Sequence, residues 1–353
     1  MKILVFSDIH IGSMFGSHSF DEEIKDVLNK IARTAKKEKV KLVVINGDLF
    51  HRPDPTPRQI AIISEFLAKL KKLKIETIIL LGNHDIVKNT TYHALEPFKF
   101  GYENVKIIQE PTKITYNNHD VNYVLIPYGY DDVPESIQPN EKSIVFTHYD
   151  YTDPEKHKKY QETILSKYLL NINGHIHLPS KTKKFVNIGS ITRTSISEIY
   201  DNKHFVILNI QDSKNISKKF FSINKYLRNM LKVNIDQSVN FLEFDSIENK
   251  KFNLTSRKIY AYIESLGNNC LLDLEVVVEK ESDLIKIEPI LNRISEIGYI
   301  RNKNVIVMSK TKNVKKLNNI TNPKKMIKEY IENNCFKSNK SVILEKALEI
   351  LER

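Results

Sequence analysis

The sequence predicts an α/β protein followed by a small α+β domain and C-terminal helices, and three observations carry that expectation. The first 130 residues alternate short apolar runs with amphipathic stretches, the pattern of successive βα units. The next hundred or so residues, up to about residue 232, are rich in strand-like runs with few long helices between them. Beyond residue 232 the composition changes and a short β-α-β pattern returns. At 353 residues the chain is long enough for two domains and needs neither disulfides nor a metal merely to hold a core together.

Each element follows from its residues. Ile3–Ser7 is an apolar run of strand length. Phe20–Lys39 places Ile24, Val27, Leu28, Ile31 and Ala35 at helical spacing with lysines between them. Leu42–Asn46 is a second buried strand. Pro57–Leu73 repeats the helical period through Ile60, Ile63, Phe66, Leu67 and Leu70, and Thr77–Leu81 is a third strand, completing a β-α-β-α-β opening. Further strands are expected at Val105–Ile108, Asn122–Ile126, Ser143–Thr147, Leu170–Asn173, Lys184–Ile188 and His204–Ile210. In the second domain, Leu274–Glu279, Leu284–Ile297 and Val305–Ser309 form the β-α-β module. A Lys/Asn-rich linker over 311–322 precedes two short amphipathic helices, about 323–333 and 339–352.

Composition excludes several classes. With 41% apolar and 27% charged residues, 12 Pro and 10 Gly, the chain is neither disordered, collagenous nor of low complexity. Cys270 and Cys335 lie far apart and build no paired framework, so a reducing cytoplasm is the expected setting, or a host cytoplasm for a viral protein. The N-terminal apolar run is too short for a signal peptide, and no stretch approaches a membrane span. The net charge of +11 is unevenly spread. Residues 1–180 are balanced, with 23 Lys+Arg against 23 Asp+Glu; 181–232 hold 11 against 3, 233–300 hold 7 against 12, and 301–353 hold 13 against 5. Two basic blocks around an acidic segment suggest surfaces that meet a polyanion.

The chemistry is concentrated at the ends of the expected strands. Asp8-Ile9-His10 follows the first, Gly47-Asp48 the second, and Gly82-Asn83-His84-Asp85 the third; His148 and Gly174-His175-Ile176-His177 follow later ones. Ligands collect at the carboxyl ends of strands in open α/β sheets, so these separated residues can converge. Any one of these clusters alone would pass for a turn or cap. Together they offer three Asp, one Asn and five His, too many donors for one ion and enough for two that share a carboxylate. Paired divalent ions about 3.5–4 Å apart stabilise the attacking and leaving oxygens of an in-line displacement, which points to a phosphate ester. His84 is left to supply a proton or charge at the leaving oxygen, with Asp85 beside it to hold the ring.

The order D-x-H, G-D, G-N-H-[DE], H, G-H-x-H resembles the signature of calcineurin-like metallophosphoesterases. Within that class the chain resembles the SbcD and meiotic-recombination-eleven DNA nucleases. The stretches Phe6–Gly12, Asn46–His51, Pro55-Thr56-Pro57, Leu81–Asp85 and Asn173–His177 carry that likeness, His51 after Asp-Leu-Phe above all. The resemblance implies a four-layer β-sandwich flanked by helices over 1–232, a capping domain that guides DNA over 233–310, and an ATPase-binding helical tail over 323–353. It implies that Asp8, His10, Asp48 and His177 hold one ion and Asp48, Asn83, His148 and His175 the other, with Asp48 as bridge. The ions would be two Mn2+, with Mg2+ or another divalent cation possible. His84 and Asp85 would act at the leaving oxygen, and His51 near the scissile phosphate. Arg52, Lys88 and Arg193 are the candidate DNA contacts.

The activity so implied is 3'-5' exonuclease action on duplex ends and endonuclease action on single strands or hairpins, in DNA repair, recombination or replication. The implied partners are an SbcC-type coiled-coil ATPase and a second copy of the chain. A phosphoprotein phosphatase or cyclic-nucleotide phosphodiesterase built on the same core is the alternative. Phosphoprotein phosphatases carry G-D-x-V-D-R-G at 47–53, whereas this chain keeps Arg52 but has His51 and Pro53 in place of the Asp and Gly. A non-enzymatic assembly role predicts eroded ligands, and none is eroded. The acidity of 233–300 departs from the family pattern.

Overall fold

The computed structural model describes residues 1–13, 18–152 and 168–235 apart from positions 89, 118, 131–132, 199 and 228; beyond these it describes 242–245, 251–254, 270–278, 299–307 and helical positions between 285 and 294. The chain divides into two compact units, Met1–Met230 and Leu231–Arg353. The expected linker and terminal helices over 311–353 lie outside the described residues.

The first unit opens with β1 (Lys2–Phe6), α1 (His18–Glu38), β2 (Leu42–Ile45), α2 (Pro57–Lys72), β3 (Glu76–Leu80), α3 (Glu96–Gly101) and β4 (Val105–Ile108). It continues through β5 (Thr112–Thr115), β6 (Asn122–Ile126), β7 (Ser143–His148), β8 (Leu170–Gly174), β9 (Ser180–Lys181), β10 (Phe185–Asn187), β11 (His204–Ile210) and β12 (Ile216–Ser222). These strands form two six-stranded sheets, in the orders β12-β11-β1-β2-β3-β4 and β5-β6-β7-β8-β10-β9. The centre of each sheet is parallel: β1 to β4 in one, and β6, β7, β8 and β10 in the other. Antiparallel β11 and β12 close one edge of the first sheet, whose other edge is the parallel β4, and antiparallel β5 and β9 close both edges of the second.

The continuous apolar runs are explained by burial of both faces. Alternate residues Ile3, Val5, Leu42, Val44, Ile78 and Leu80 of the first sheet pack with Tyr123, Leu125, Ile144, Phe146 and Ile172 of the second in one core cluster. The residues between them, such as Phe6, point the other way, where the Phe6 ring meets Phe66 of α2 edge-on at 6.0 Å. On the far side of the second sheet, Val124, Ile126 and Val145 are covered by Val133 and Tyr149. The fold is therefore an α/β sandwich of two parallel-rich sheets with helices layered on the first. Helix α2 starts where the sequence says it must: Pro57 follows the N-cap Thr56, whose side chain and that of Gln59 form a reciprocal capping box. Three lysines in its last turn face the negative end of the helix dipole.

Three short or edge strands were not legible in the hydrophobic pattern. β5, β9 and β12 carry Lys113, Lys181, Lys218 and Lys219, and cationic side chains on edge strands discourage pairing with other chains while blurring the apolar alternation.

The second unit holds β13 (Asn229–Ile235), β14 (Leu242–Asp245), β15 (Lys251–Leu254), β16 (Cys270–Val278) and β17 (Tyr299–Val307), in the order β15-β14-β13-β16-β17. β16 and β17 are parallel, with buried Leu291 and Ile294 among the helical positions between them. That matches the expected β-α-β module. β17 begins six residues before the expected Val305, because Arg301–Asn304 give no apolar signal.

Candidate active site

The carboxyl ends of β1, β2, β3, β7 and β8 meet at one end of the sandwich. Hydrogen bonds fix them there: across the sheets Ser7 pairs with Ser190 in a parallel bridge and Asn46 Nδ2 donates to the Ile172 carbonyl at 2.8 Å, and within the first sheet Ser7 Oγ donates to the Asn46 carbonyl at 2.8 Å. Immediately beyond the strands, four residues that are not glycine turn through left-handed backbone: Asp8 (φ +53°), His10 (+47°), Asp48 (+50°) and His175 (+75°). Each such residue costs about 1–3 kcal/mol, and this kind of strain gathers at functional sites. The twist points side chains inward that a regular strand would splay apart. Gly47, at φ +88°, is needed for a second reason: a Cβ there would lie 2.3 Å from His148 Nδ1.

Two donor groups that include a carboxylate result, Asp8-His10-His177 and Asp48-His148-His175, and a third, His10-His51-His84, is all imidazole; the ligand atoms within each lie within 4.8 Å of one another. Asp48 Oδ2 stands between them, 3.5 Å from His10 Nε2 and 3.3 Å from His148 Nε2. Asn83 Oδ1 joins the second group, 2.9 Å from His175 Nδ1 and 3.2 Å from His148 Nε2. The backbone sets these side chains from behind. Asp48 Oδ1 accepts from the His84 amide at 2.9 Å, Asp8 Oδ2 from the His175 amide at 3.1 Å, and His148 Nδ1 donates to the Asn46 carbonyl at 2.6 Å.

This arrangement fits divalent cations. His177 Nε2 and His10 Nε2 lie 2.9 Å apart, too close for two N–H donors to face each other, and both face the same space. Asp8 Oδ1 is buried without a hydrogen-bond partner, 3.8 Å from His10 Nε2. A buried carboxylate oxygen left in this way beside converging imidazoles is a cation's place.

The charges of the site respond to each other. Burial alone would raise Asp8 and Asp48, but the His10 and His148 rings outweigh it and hold both carboxylates below their ordinary range. Burial opposes charge on His148 also, yet Asp48 and Asp8 push it up to about 9. His177 is raised against burial by Glu198 and Asp8, whereas burial and the neighbouring His148 lower His175.

His84 and His51 stand at the edge of the first group, half-buried. The His84 ring is 4.7 Å from His10 and 5.3 Å from His51, and its Nδ1 is tied to the His51 carbonyl at 2.8 Å. Burial and the adjacent His10 and His84 rings push His51 down to about 4, so it is neutral near pH 7.

Two expectations are corrected by the geometry. Asp85 does not orient the His84 ring, because its carboxylate accepts instead from the Leu49 and Phe50 amides at 3.0 and 3.1 Å and from Gly82 at 3.1 Å. It staples the turn after β2 to the turn after β3, and burial with the Asp48 charge pushes it up to about 7. The His51 carbonyl holds the His84 ring in its place. Arg193 is no surface cation for DNA: it is 3% exposed, with its charge facing Glu23, Asp201 and Glu198. Arg52 and Lys88 are exposed on the turns that follow β2 and β3.

Sequence reasoning also missed supporting residues. Tyr128, partly exposed, stacks against His175 with ring centroids 5.8 Å apart. Thr194 and Lys203 join Glu198 behind His177. No periodicity or motif marks them, since they reach the site from loops.

Residues 1–179 match the family model described as calcineurin-like phosphoesterase. The chain belongs to that family, and is a metal-dependent hydrolase of phosphate esters. It is 23% identical over 329 residues to the SbcD component of the SbcCD nuclease of Staphylococcus epidermidis, covering 76% of this chain and 85% of that one. It is 28% identical over 230 residues to the DNA double-strand break repair protein Mre11 of Archaeoglobus fulgidus, covering 56% of this chain and 52% of the relative. A solved dimetal phosphatase from Danio rerio overlays 63% of this chain and 98% of its own, at 12% identity and a TM-score of 0.41.

Proposed function

We propose that the chain is a DNA nuclease that hydrolyses phosphodiester bonds with two divalent cations, manganese by preference. It trims duplex ends in the 3'-5' direction and cuts single strands and hairpins, in repair, recombination or replication of DNA. The observation that carries the proposal is the pair of donor groups sharing Asp48 Oδ2, with His84 and His51 beside them and outside the second group. The names of the two relatives, one a nuclease component and the other a break-repair protein, support DNA as substrate. So does His51, where a phosphoprotein phosphatase has another residue.

Asp8, His10, His177 and Asp48 would hold one cation, and Asp48, Asn83, His148 and His175 the other. When bound, such ions act as Lewis acids on phosphate oxygens and lower the pKa of a water. Hydrolysis forms a P–O bond to the water oxygen and breaks the bond to the leaving sugar oxygen, which needs a proton. His84 supplies it: its Nδ1 is committed to the His51 carbonyl, which leaves Nε2 as the nitrogen that exchanges protons. His51, neutral, hydrogen-bonds the phosphate from the edge of the site. Exposed Lys181, Lys183, Lys184 and Lys219 lie on the β9–β10 hairpin and β12, and Lys181 sits 4.6 Å over the Phe220 ring, giving a basic edge for the DNA backbone. We further assign residues 323–353 to binding an SbcC-type ATPase, residues 233–310 to guiding DNA, and a homodimer as the working form.

End-labelled duplex and hairpin DNA with Mn2+ test this proposal. The wild type is expected to degrade both, and Asp48→Ala neither, since it removes the shared ligand. Undiminished cleavage by Asp48→Ala overturns the site, and turnover of phosphomonoesters with no cleavage of DNA overturns the substrate.

A further inference from the structure

Behind the first donor group lies a buried ion pair that the mechanism above does not use. Lys203 is fully buried, and its ammonium donates to Glu198 Oε2 at 2.7 Å, Ser190 Oγ at 2.7 Å, Asp201 Oδ2 at 3.0 Å and the His177 carbonyl at 3.2 Å. Glu198 is turned by this hold so that its other oxygen, Oε1, accepts from His177 Nδ1 at 3.0 Å and from Thr194 Oγ1 at 2.6 Å. The opposite nitrogen of the same ring, His177 Nε2, is the atom 2.9 Å from His10 Nε2. An isolated buried lysine is expensive, and a cluster that satisfies it this fully is specific in geometry. Ser190 is the residue that bridges to Ser7 at the end of β1, next to Asp8, so the cluster is fixed to the strand that carries two other donors.

We propose that Glu198, locked by Lys203, is a positioning residue that fixes the tautomer and orientation of His177 and thereby sets cation affinity in the Asp8-His10-His177 group alone. Among the described residues no carboxylate accepts a hydrogen bond from an imidazole of the second group from behind: His148 Nδ1 is held by the neutral Asn46 carbonyl, and His175 Nδ1 faces Asn83 inside the group. A carboxylate behind a ligating imidazole keeps Nδ1–H in place and makes Nε2 the better donor, an effect of about 10–100-fold in metal affinity where such partners are removed. The two groups are therefore unequal, and the group backed by Glu198 holds its cation more tightly. This inference rests on the two-cation reading of the site but not on DNA as the substrate.

The test is titration of the full-length protein with Mn2+, resolving two binding events by calorimetry, in the wild type, Glu198→Gln, and the double variant Glu198→Gln with Lys203→Met. Glu198→Gln keeps the shape and an acceptor. The double variant removes the Lys203 charge together with that of Glu198, leaving Asp201 facing Arg193, and serves if the single variant fails to fold. Far-ultraviolet circular dichroism and thermal unfolding establish that each variant is folded. The expected result is a tighter event weakened about 10–100-fold with the weaker event unchanged. In Zn2+-loaded protein, nitrogen-resolved NMR of the His177 ring is expected to show a single Nδ1–H tautomer in the wild type and a mixture in the variants. Wild-type affinity for both ions in a folded variant, or equal loss at both, overturns the positioning role. Failure of the wild type to bind two ions overturns the two-cation reading and this inference with it.

Discussion

Replacing Gly47 by alanine joins backbone strain to a collision inside the site. Gly47 has φ +88°, where an L-residue is strained by about 1–2 kcal/mol. Its new Cβ would lie 2.3 Å from His148 Nδ1, 2.6 Å from Cγ and 2.9 Å from Cε1, whereas ordinary contacts begin near 3.4 Å. The ring must withdraw by about 1 Å. It has nowhere to go without loss, because its Nδ1 is bound to the Asn46 carbonyl at 2.6 Å and its Nε2 lies within 3.3 Å of Asp48 and Asn83. Breaking that buried hydrogen bond costs about 1–3 kcal/mol more, so the variant should be destabilised by about 2–5 kcal/mol. Because His148 is a proposed ligand, the displacement should also reduce turnover by about 100-fold. Gly129→Ala is the control: φ is +93°, but nothing lies within 4 Å of the new Cβ, so it should show the backbone strain alone. Urea unfolding of the metal-free proteins and Mn2+ calorimetry measure both effects. If Gly47→Ala is no less stable than Gly129→Ala and binds Mn2+ as the wild type does, the crowding argument is wrong.

His84→Ser should leave Mn2+ binding intact and lower kcat by about 100-fold or more, since His84 belongs to the proton transfer and not to the proposed ligands; loss of an ion from this variant, measured by elemental analysis, contradicts that assignment. Mn2+ binding should release a proton at neutral pH. In the metal-free protein Asp48 and Asp8 push His148 up to about 9, so its imidazole is a cation at pH 7 and must give up the proton to become a ligand. The charged ring stabilises the metal-free fold fully below its ordinary pKa, and that contribution is lost as pH rises through about 9. Apparent Mn2+ affinity accordingly rises between pH 7 and 9 and levels above it. Calorimetry in two buffers of different ionisation enthalpy counts the protons, and a count of zero excludes the coupling.

The sequence by itself determined the opening β-α-β-α-β unit, because strands buried on both faces and helices buried on one leave unmistakable apolar periods. It also marked the candidate donors that the fold brings together. Asp8, His10, Asp48, Asn83, His148, His175 and His177 fall at strand ends, and parallel pairing brings the carboxyl ends together within each of the two sheets. The basic block over 181–232 was legible only as a total: Arg193 and Lys203 count toward it, yet both are buried among carboxylates, which leaves less surface charge for a polyanion than the sum suggests. Asp85 next to His84 was assigned by adjacency, whereas neighbours in a tight turn face different ways; its oxygens reach three backbone amides instead. Only the tertiary structure decided which atoms of the donors face one another, through the left-handed turns at Asp8, His10, Asp48 and His175, and which loop residues stand behind them. Local pattern records whether a side chain is buried, because burial follows the period of the strand or helix. It does not record the partner across a sheet or from a distant loop, because that is set by backbone torsions and cross-sheet bonds between residues such as Ser7 and Ser190, 183 positions apart.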